Sequence, residues 1–363
     1  MKPNFSKKTA LNLHAAWVKT QIKLHDLTYL FWECTLRCNM QCLHCGSDCR
    51  VDSTMEDMPA QDFLRVTESI KKQYKPDKVM IVLTGGEPLM RKDLEEVGSE
   101  LQKQGYAWGM VTNGYALSKD RLNALRASGL KSVSLSFDGM KENHEWLRGA
   151  INGWDKAVQA MEFIVEAPDM VYDIVTCVNR RNINELGEIR DFLIEKGAKR
   201  WRLFSIDPIG RAVDLPELNL TGQELRQLMD FLEATRNEGK IKASYGCEGY
   251  LGSYEGKVRD GFFFCRAGVN IGSVLADGGI SACPNNDRSM IQGNIYKDDF
   301  LEVWNNRYEA FRDRKRYKTG LCADCDMWKY CLGNGMHLRN HETGEVMRCH
   351  YGMLSENILP TTP

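Results

Sequence analysis

Thirteen cysteines stand in a chain of 363 residues, and their spacing points to chemistry more than their number does. Cys38, Cys42 and Cys45 follow one another as C-x3-C-x2-C within FWECTLRCNMQCLHCGSDC. A cubane iron–sulfur cluster has four irons and ordinarily takes four thiolates. Three close cysteines on one loop leave one iron without a protein ligand, open to a substrate or cofactor. A zinc knuckle short of one ligand, or three buried thiols, would also give this spacing. Cys34, just upstream, reads as a packed core thiol, and Cys49 reads either as a loop residue or as a thiol beside the metal site. A second group fills the last third of the chain: Cys247, Cys265, Cys283, then C-x2-C-x5-C at Cys322, Cys325 and Cys331, and finally Cys349. C-x2-C pairs also suit a structural zinc ribbon. An odd cysteine count without a secretion signal argues against a disulfide framework.

Such loops need elements to hold them. From residue 27 to about 210, short apolar runs alternate with longer helical patterns. Strands are expected at Thr28–Glu33, Lys78–Leu83, Trp108–Thr112, Ser132–Phe137, Val171–Val178 and Arg200–Ile206. Helices are expected at Pro59–Gln73, Lys92–Gln104, Lys119–Ala127, Trp154–Ala167 and Ile183–Lys196, with Ser118 as a cap. Alternating strands and helices imply parallel pairing with right-handed crossovers. Six units are two short of a full eight-fold barrel. The expected fold class is α/β: a partial (β/α)6 TIM-like barrel followed by a small Cys-rich domain. The expected division is an arm over 1–26, a core over 27–212, a linking helix over 213–245 capped by Thr221, and the Cys-rich part over 246–363.

Bulk properties exclude several classes. A formal net charge of -1 and a pI near 6.7 suggest neither nucleic acid nor an anionic membrane as partner. No stretch approaches the roughly 18–20 apolar residues that span a bilayer. The N-terminal segment has basic residues but no cleavable signal, so a cytoplasmic location is expected.

Cys38, Cys42, His44 and Cys45, placed directly after a first strand, resemble the C-x3-C-x-aromatic-C signature of the radical S-adenosylmethionine (SAM) superfamily, with His44 in the aromatic position. Thr84-Gly85-Gly86-Glu87-Pro88 after the second strand is similar to that family's GGEP motif. The resemblance implies a [4Fe-4S] cluster whose open iron chelates S-adenosylmethionine and splits it to a 5′-deoxyadenosyl radical. Cofactor-binding residues are then expected at Gly85, Gly86, Glu87, Pro88, Asn113, Ser136, Arg148 and Asn179. Paired glycines would let backbone approach a ligand, and Glu87 would offer an acceptor to an ammonium group. Arg148 would reach the cofactor carboxylate or cap a helix; Arg211, in PIGRA, would touch the cofactor or make an exit turn.

Cys265, Gly278 and Cys283, followed by Cys322, Cys325, Cys331 and Cys349, resemble a SPASM (twitch-like) auxiliary cluster domain. That resemblance implies one or two auxiliary iron–sulfur clusters. Matching positions assign Cys322, Cys325, Cys331 and Cys349 to an outer cluster, and Cys265 and Cys283 to an inner one, with Cys247 as a possible third ligand. The family's usual further cysteine falls on Gly335, and His337 is either a substitute ligand or a packing residue. Asp138, Asp207 and Glu248 are candidate general bases, with turn and capping roles as the plainer alternative. The resemblance implies a peptide or protein substrate and an electron donor such as flavodoxin or ferredoxin. Tetrapyrrole or other small-molecule maturation is the alternative reaction, and a non-catalytic metal-binding protein the alternative class.

Overall fold

The computed structural model describes residues 5–246 and 248–355. After helix α1 (Phe5–Leu24) the chain alternates β1 (Tyr29–Thr35), α2 (Ala60–Ile70), β2 (Met80–Gly85), α3 (Leu94–Lys103), β3 (Ala107–Thr112), α4 (Lys119–Ala127) and β4 (Leu130–Ser136). Helices α5 (Lys141–Arg148) and α6 (Gly153–Glu166) precede β5 (Val171–Val178), α7 (Leu186–Glu195), β6 (Arg200–Ser205), α8 (Gly222–Glu238) and β7 (Lys242–Tyr245). The last third contains β8 (Ile271–Val274), β9 (Gly279–Ser281), β10 (Gly293–Asn294), α9 (Phe300–Asn306), α10 (Glu309–Arg312), α11 (Trp328–Cys331) and α12 (His350–Leu354).

The strands form one sheet in the order β10-β9-β8-β1-β2-β3-β4-β5-β6-β7. Pairing from β1 to β7 is parallel throughout, so all the loops that follow these strands open at one end. The two ends of the sheet are different strands, and the barrel therefore stays open. The α/β class and the six expected core strands are present, and β7 adds a seventh parallel neighbour to β6. On the other flank β8 pairs in parallel with β1, across 242 residues at Tyr29 and Ile271, and turns into the antiparallel β9 and β10.

Alternation along the strands explains the layering. Leu30, Trp32 and Cys34 of β1, Ile81 and Leu83 of β2, and Val133 and Leu135 of β4 are buried in the main apolar core. The intervening positions lie on the other face, as the period of two in a strand requires, and they mix apolar Phe31 and Val82 with Glu33, Thr84, Ser132 and Ser134. On β4, β5 and β6 they form a small ladder, in which Ser134 Oγ–H donates to Asp173 (2.7 Å) and Arg202 pairs with the same carboxylate (2.6 Å). Local signals place the helices. Ser118 accepts the N–H of Arg121 at the start of α4, and Thr221 makes a reciprocal capping box with Glu224 at the start of α8. Helix α5 was not expected; its eight residues are too few for a clear periodic pattern. Helix α1 lies on the C-terminal third: Leu11 packs with Tyr250, Phe263 and Met327, and Lys329 Nζ donates to Asn12 Oδ1 (2.6 Å). Among the described residues no helix is long and apolar enough to cross a membrane.

Candidate functional site

The loop after β1 carries Cys38, Cys42 and Cys45, and backbone contacts from three neighbours set its path. Leu43 N–H donates to Leu147 O in α5 (2.9 Å), and Cys38 N–H to Arg50 O (3.0 Å). After β2, Glu87 N–H donates to Arg37 O (3.0 Å). A Cβ at Gly86 would lie 2.1 Å from that same oxygen, and one at Gly210 would lie 2.2 Å from Cys45 O. The close approach that these glycines permit is thus to the backbone of the cysteine loop. Arg211 completes the clamp. Its Nε donates to Cys42 O (2.7 Å), and its Nη1 donates to Cys49 O and Asp48 Oδ1 (both 3.0 Å). By sequence this arginine is either a cofactor contact or part of an exit turn; its grip on the loop emerges only in the tertiary structure.

Cys38 and Cys42 are each 8% exposed, and with Met40, Cys49 and the partly buried Cys45 they make a small cluster of their own. Burial and the neighbouring thiols push Cys38 up to about 11, and burial raises Cys42 against the pull of Arg148. Cys45 is drawn down to about 6, chiefly by a hydrogen bond from Cys49. Thiols crowded in this way repel one another as thiolates, and a bound cationic centre would relieve that cost. The donor set fits an iron–sulfur cluster.

The other expected residues lie at or just after the ends of β2, β3, β4 and β5, with Arg148 at the end of α5. Glu87 is fully buried, and its carboxylate accepts three hydrogen bonds: from Leu89 N–H (3.1 Å), Thr112 Oγ1–H (2.7 Å) and Asn113 N–H (2.7 Å). It ties the end of β2 to the end of β3, while burial pushes its pKa up against those bonds. Gly85 ends β2 and Pro88 opens a short 3-10 turn. The Asn113 amide donates to Asn39 Oδ1 (2.7 Å) and faces Cys38 Sγ at 3.9 Å. Ser136 closes β4 and pairs with Val175; it is half-buried, and its hydroxyl makes no hydrogen bond among the described residues. Asn179 is spent on its own turn, accepting from Arg181 N–H (2.9 Å) and Asn182 N–H (3.3 Å).

Arg148 sits between Asp138 and the cysteine loop, with Nε 2.5 Å from Asp138 Oδ2 and Nη1 3.7 Å from Cys42 Sγ. Burial opposes the charge of Asp138, yet Arg148, His44 and His144 hold its carboxyl below the usual range, helped by the N–H of Cys177 (2.7 Å). Burial in turn pushes both His44 and His144 down to about 4. Cys177 on β5 is half-buried, and its sulfur lies with His44 and Asp138 within 4.8 Å. The period of two along β5 sets it on the face opposite Ile174, Thr176 and Val178, a signal that was available in the sequence.

In the last third, Cys322, Cys325, Cys331 and Cys349 all line one largely apolar pocket, which Trp328 and Tyr351 help to close. Arg339 Nη2 approaches Cys322 Sγ (3.4 Å), and Gly352 N–H donates to Cys349 Sγ (3.3 Å). Burial and the other thiols raise Cys331 and Cys349. Four thiols lining one pocket fit a fully ligated cluster; no three of their sulfurs gather within 4.8 Å of one another, as ligands of a single metal ion would. At the inner position, Met336 N–H donates to Cys265 Sγ (3.5 Å), and Arg314 and His337 draw that thiol down although burial opposes them. Cys283 follows β9, and Cys247 lies outside the described residues. A Cβ at Gly335 would meet Glu248 O at 2.8 Å and the His337 ring at 2.9 Å, so no larger side chain fits there unchanged. His337 itself faces Asp207 (3.7 Å), which also pairs with Arg348 (3.0 Å). Glu248 is enclosed by Ser205, Tyr245 and His350.

A sequence profile of the radical SAM superfamily matches residues 32–193, and a profile of the SPASM iron–sulfur cluster-binding domain matches residues 265–326. The chain is a radical SAM protein with a C-terminal SPASM domain. Those two domains imply [4Fe-4S] clusters and S-adenosylmethionine as cofactors, and the enzyme-named relatives make this radical SAM protein an enzyme. An AdoMet-dependent heme synthase from Methanosarcina barkeri is 26% identical over 324 residues, covering 83% of this chain and 89% of the relative. Mycofactocin maturase MftC of Mycolicibacterium smegmatis is 29% identical over 315 residues, covering 85% and 77%. The solved structure of native anSMEcpe with bound AdoMet superposes with a TM-score of 0.71 at 18% identity, covering 91% of this chain and 95% of that one, a likeness of fold.

Proposed function

We propose that this radical SAM enzyme modifies a side chain of a peptide or protein substrate. The observation that carries the chemistry is the set of three thiols, Cys38, Cys42 and Cys45, gathered on one clamped loop beside the strand ends. When bound, the cluster and S-adenosylmethionine supply a 5′-deoxyadenosyl radical by one-electron cleavage. The chain's own residues bind and orient. Gly85, Gly86, Glu87 and Pro88 shape one wall of the cofactor pocket, and Asn113, Ser136, Arg148 and Asn179 stand around the rest. Of these, Ser136 has the uncommitted hydroxyl suited to a ribose, whereas the Glu87 carboxylate acts as a brace for the ends of β2 and β3. Cys322, Cys325, Cys331 and Cys349 would hold an outer auxiliary cluster, and Cys265 and Cys283, with Cys247, an inner one. These centres would accept the electron that the substrate radical loses when it becomes the oxidised product. A small acidic carrier such as flavodoxin or ferredoxin would reduce the enzyme, in the cytoplasm.

Similarity to MftC over 85% of the chain supports the peptide reading. Similarity to the heme synthase favours a tetrapyrrole as the second reading. Anaerobically reconstituted protein, given S-adenosylmethionine and dithionite, should form 5′-deoxyadenosine. Cys42→Ala should abolish this, and Cys331→Ala should retain it without turnover of substrate. Mass spectrometry of candidate peptides and absorbance spectra of iron porphyrins in the same mixture separate the two substrate classes. A colourless protein with stoichiometric zinc and no 5′-deoxyadenosine would overturn the enzymatic reading.

A further inference from the structure

Each sulfur of the N-terminal cysteine loop faces a different hydrogen-bond donor. Cys38 Sγ is approached by Asn113 Nδ2 at 3.9 Å, Cys42 Sγ by Arg148 Nη1 at 3.7 Å, and Cys45 Sγ by the backbone N–H of Cys49 at 3.3 Å. The donors come from three places: the end of β3, the last turn of α5, and the cysteine loop itself. We propose that Asn113, Arg148 and Cys49 form a matched set of donors, one per thiolate, that raises the reduction potential of the cluster held by Cys38, Cys42 and Cys45. This inference rests on the cluster reading above and assigns these residues a role toward the sulfurs.

The physical argument begins with charge. Thiolates and sulfides make such a cluster electron-rich, and reduction adds one more negative charge to it. A donor pointed at a ligand sulfur stabilises the reduced form more than the oxidised one, and hydrogen bonds to the sulfurs are among the factors that set cluster potentials. Partners of this kind act only when their own orientation is fixed. All three are fixed here. The Asn113 backbone N–H is bound by Glu87, its Oδ1 accepts Tyr115 N–H (2.9 Å), and its Nδ2 also donates to Asn39. Arg148 is held through Nε by the fully buried Asp138, which offsets the guanidinium charge and leaves the directed N–H on Nη1 as the local influence.

Cys49 is the least expected member, since it lies outside the three-cysteine spacing. The chain reverses at Gly46-Ser47-Asp48 with Asp48 in the left-handed region (φ 47), and Arg211 holds Cys49 O at 3.0 Å. That turn is disfavoured for a residue other than glycine. It returns Cys49, 2% exposed, onto Cys45, with the thiol as well as the N–H on that side.

The test is an EPR-monitored redox titration of the reconstituted full-length protein, with the cluster identified as the one whose signal changes on adding S-adenosylmethionine. Asn113→Asp replaces the amide donor by an acceptor of the same shape, and Arg148→Lys keeps the charge beside Asp138 while losing the reach to Cys42. Each should make reduction at least tenfold less favourable, a fall of 59 mV for one electron, with iron content unchanged. Cys49→Ala, which keeps the N–H and removes the thiol, should shift the potential in the same direction by less. Where Asn113→Asp takes up too little iron, Asn113→Ala removes the donor without adding charge. Wild-type midpoints in fully loaded Asn113→Asp and Arg148→Lys would overturn the inference. So would loss of one iron and a three-iron signal in Cys49→Ala, because Cys49 would then be a ligand. Should no signal respond to S-adenosylmethionine in wild type, the cluster reading itself has failed, a result distinct from either.

Discussion

Replacing Arg211 by methionine should loosen the cluster loop without unfolding the protein. The side chain gives three hydrogen bonds to this loop: to Cys42 O, to Cys49 O and to Asp48. The Asp48 pair has 23% and 48% exposed partners and belongs with surface pairs worth about 0–1 kcal/mol. Hydrogen bonds from a charged donor are worth about 1.5–3 kcal/mol each. Taking the low end for the two carbonyls, since water can reach a partly exposed guanidinium, the closed loop loses about 3 kcal/mol. At about 1.4 kcal/mol per tenfold, the open population rises about a hundredfold. Methionine keeps an apolar stem in place, so packing changes little. The assay is the anaerobic rate of iron transfer to a chelator in a Cys331→Ala background, where the outer site no longer contributes. Opening of a local segment limits such loss, and the rate should rise by at least tenfold while thermal unfolding shifts only slightly. A rate within threefold of the parent would refute the clamp.

Arg91→Met should lower the unfolding free energy by about 3 kcal/mol, because Cys34 O (2.8 Å) and Met58 O (3.1 Å) lose a donor that is 3% exposed; denaturant unfolding measures it, and a change under 1 kcal/mol would argue against the bracing role. Gly335→Cys, which restores the family pattern, should not give a normal inner site, since its Cβ would press on Glu248 O and His337; an unchanged Tm together with four extra irons per chain would contradict this. The imidazole of His144, pushed down to about 4 by burial, binds a proton less readily in the folded state than in the unfolded chain. Stability from this group is therefore complete above pH 6.5 and is lost as pH falls toward 4, by about 3 kcal/mol in all. A His144→Gln variant should lack this slope in apo-protein unfolding; an identical pH profile would contradict the assignment.

The parallel strands were legible because each is a short apolar run bounded by a helical pattern, and the caps at Ser118 and Thr221 lie within three residues of the groups they satisfy. Helix α5 escaped notice because eight residues carry little periodicity, and its role depends on Arg148 meeting Asp138 ten positions earlier. The carboxylate of Glu87 was expected to serve a ligand. Its hydrogen bonds to Thr112 and Asn113, some 25 residues on, could not be foreseen from GGEP itself.

By itself, the order of residues determined the chemistry on offer: three thiols in one turn of loop, four more in C-x2-C company, and glycines where backbone must come close. These are short-range properties, carried by spacing and conformational freedom. Only the tertiary structure decided what those groups face. The pairing of β8 with β1 across 242 residues, the grip of Arg211 on a loop 169 residues earlier, and the donors at each sulfur arise from packing of distant segments. Contacts of that range are set by the burial of the whole core and leave no local pattern in the chain.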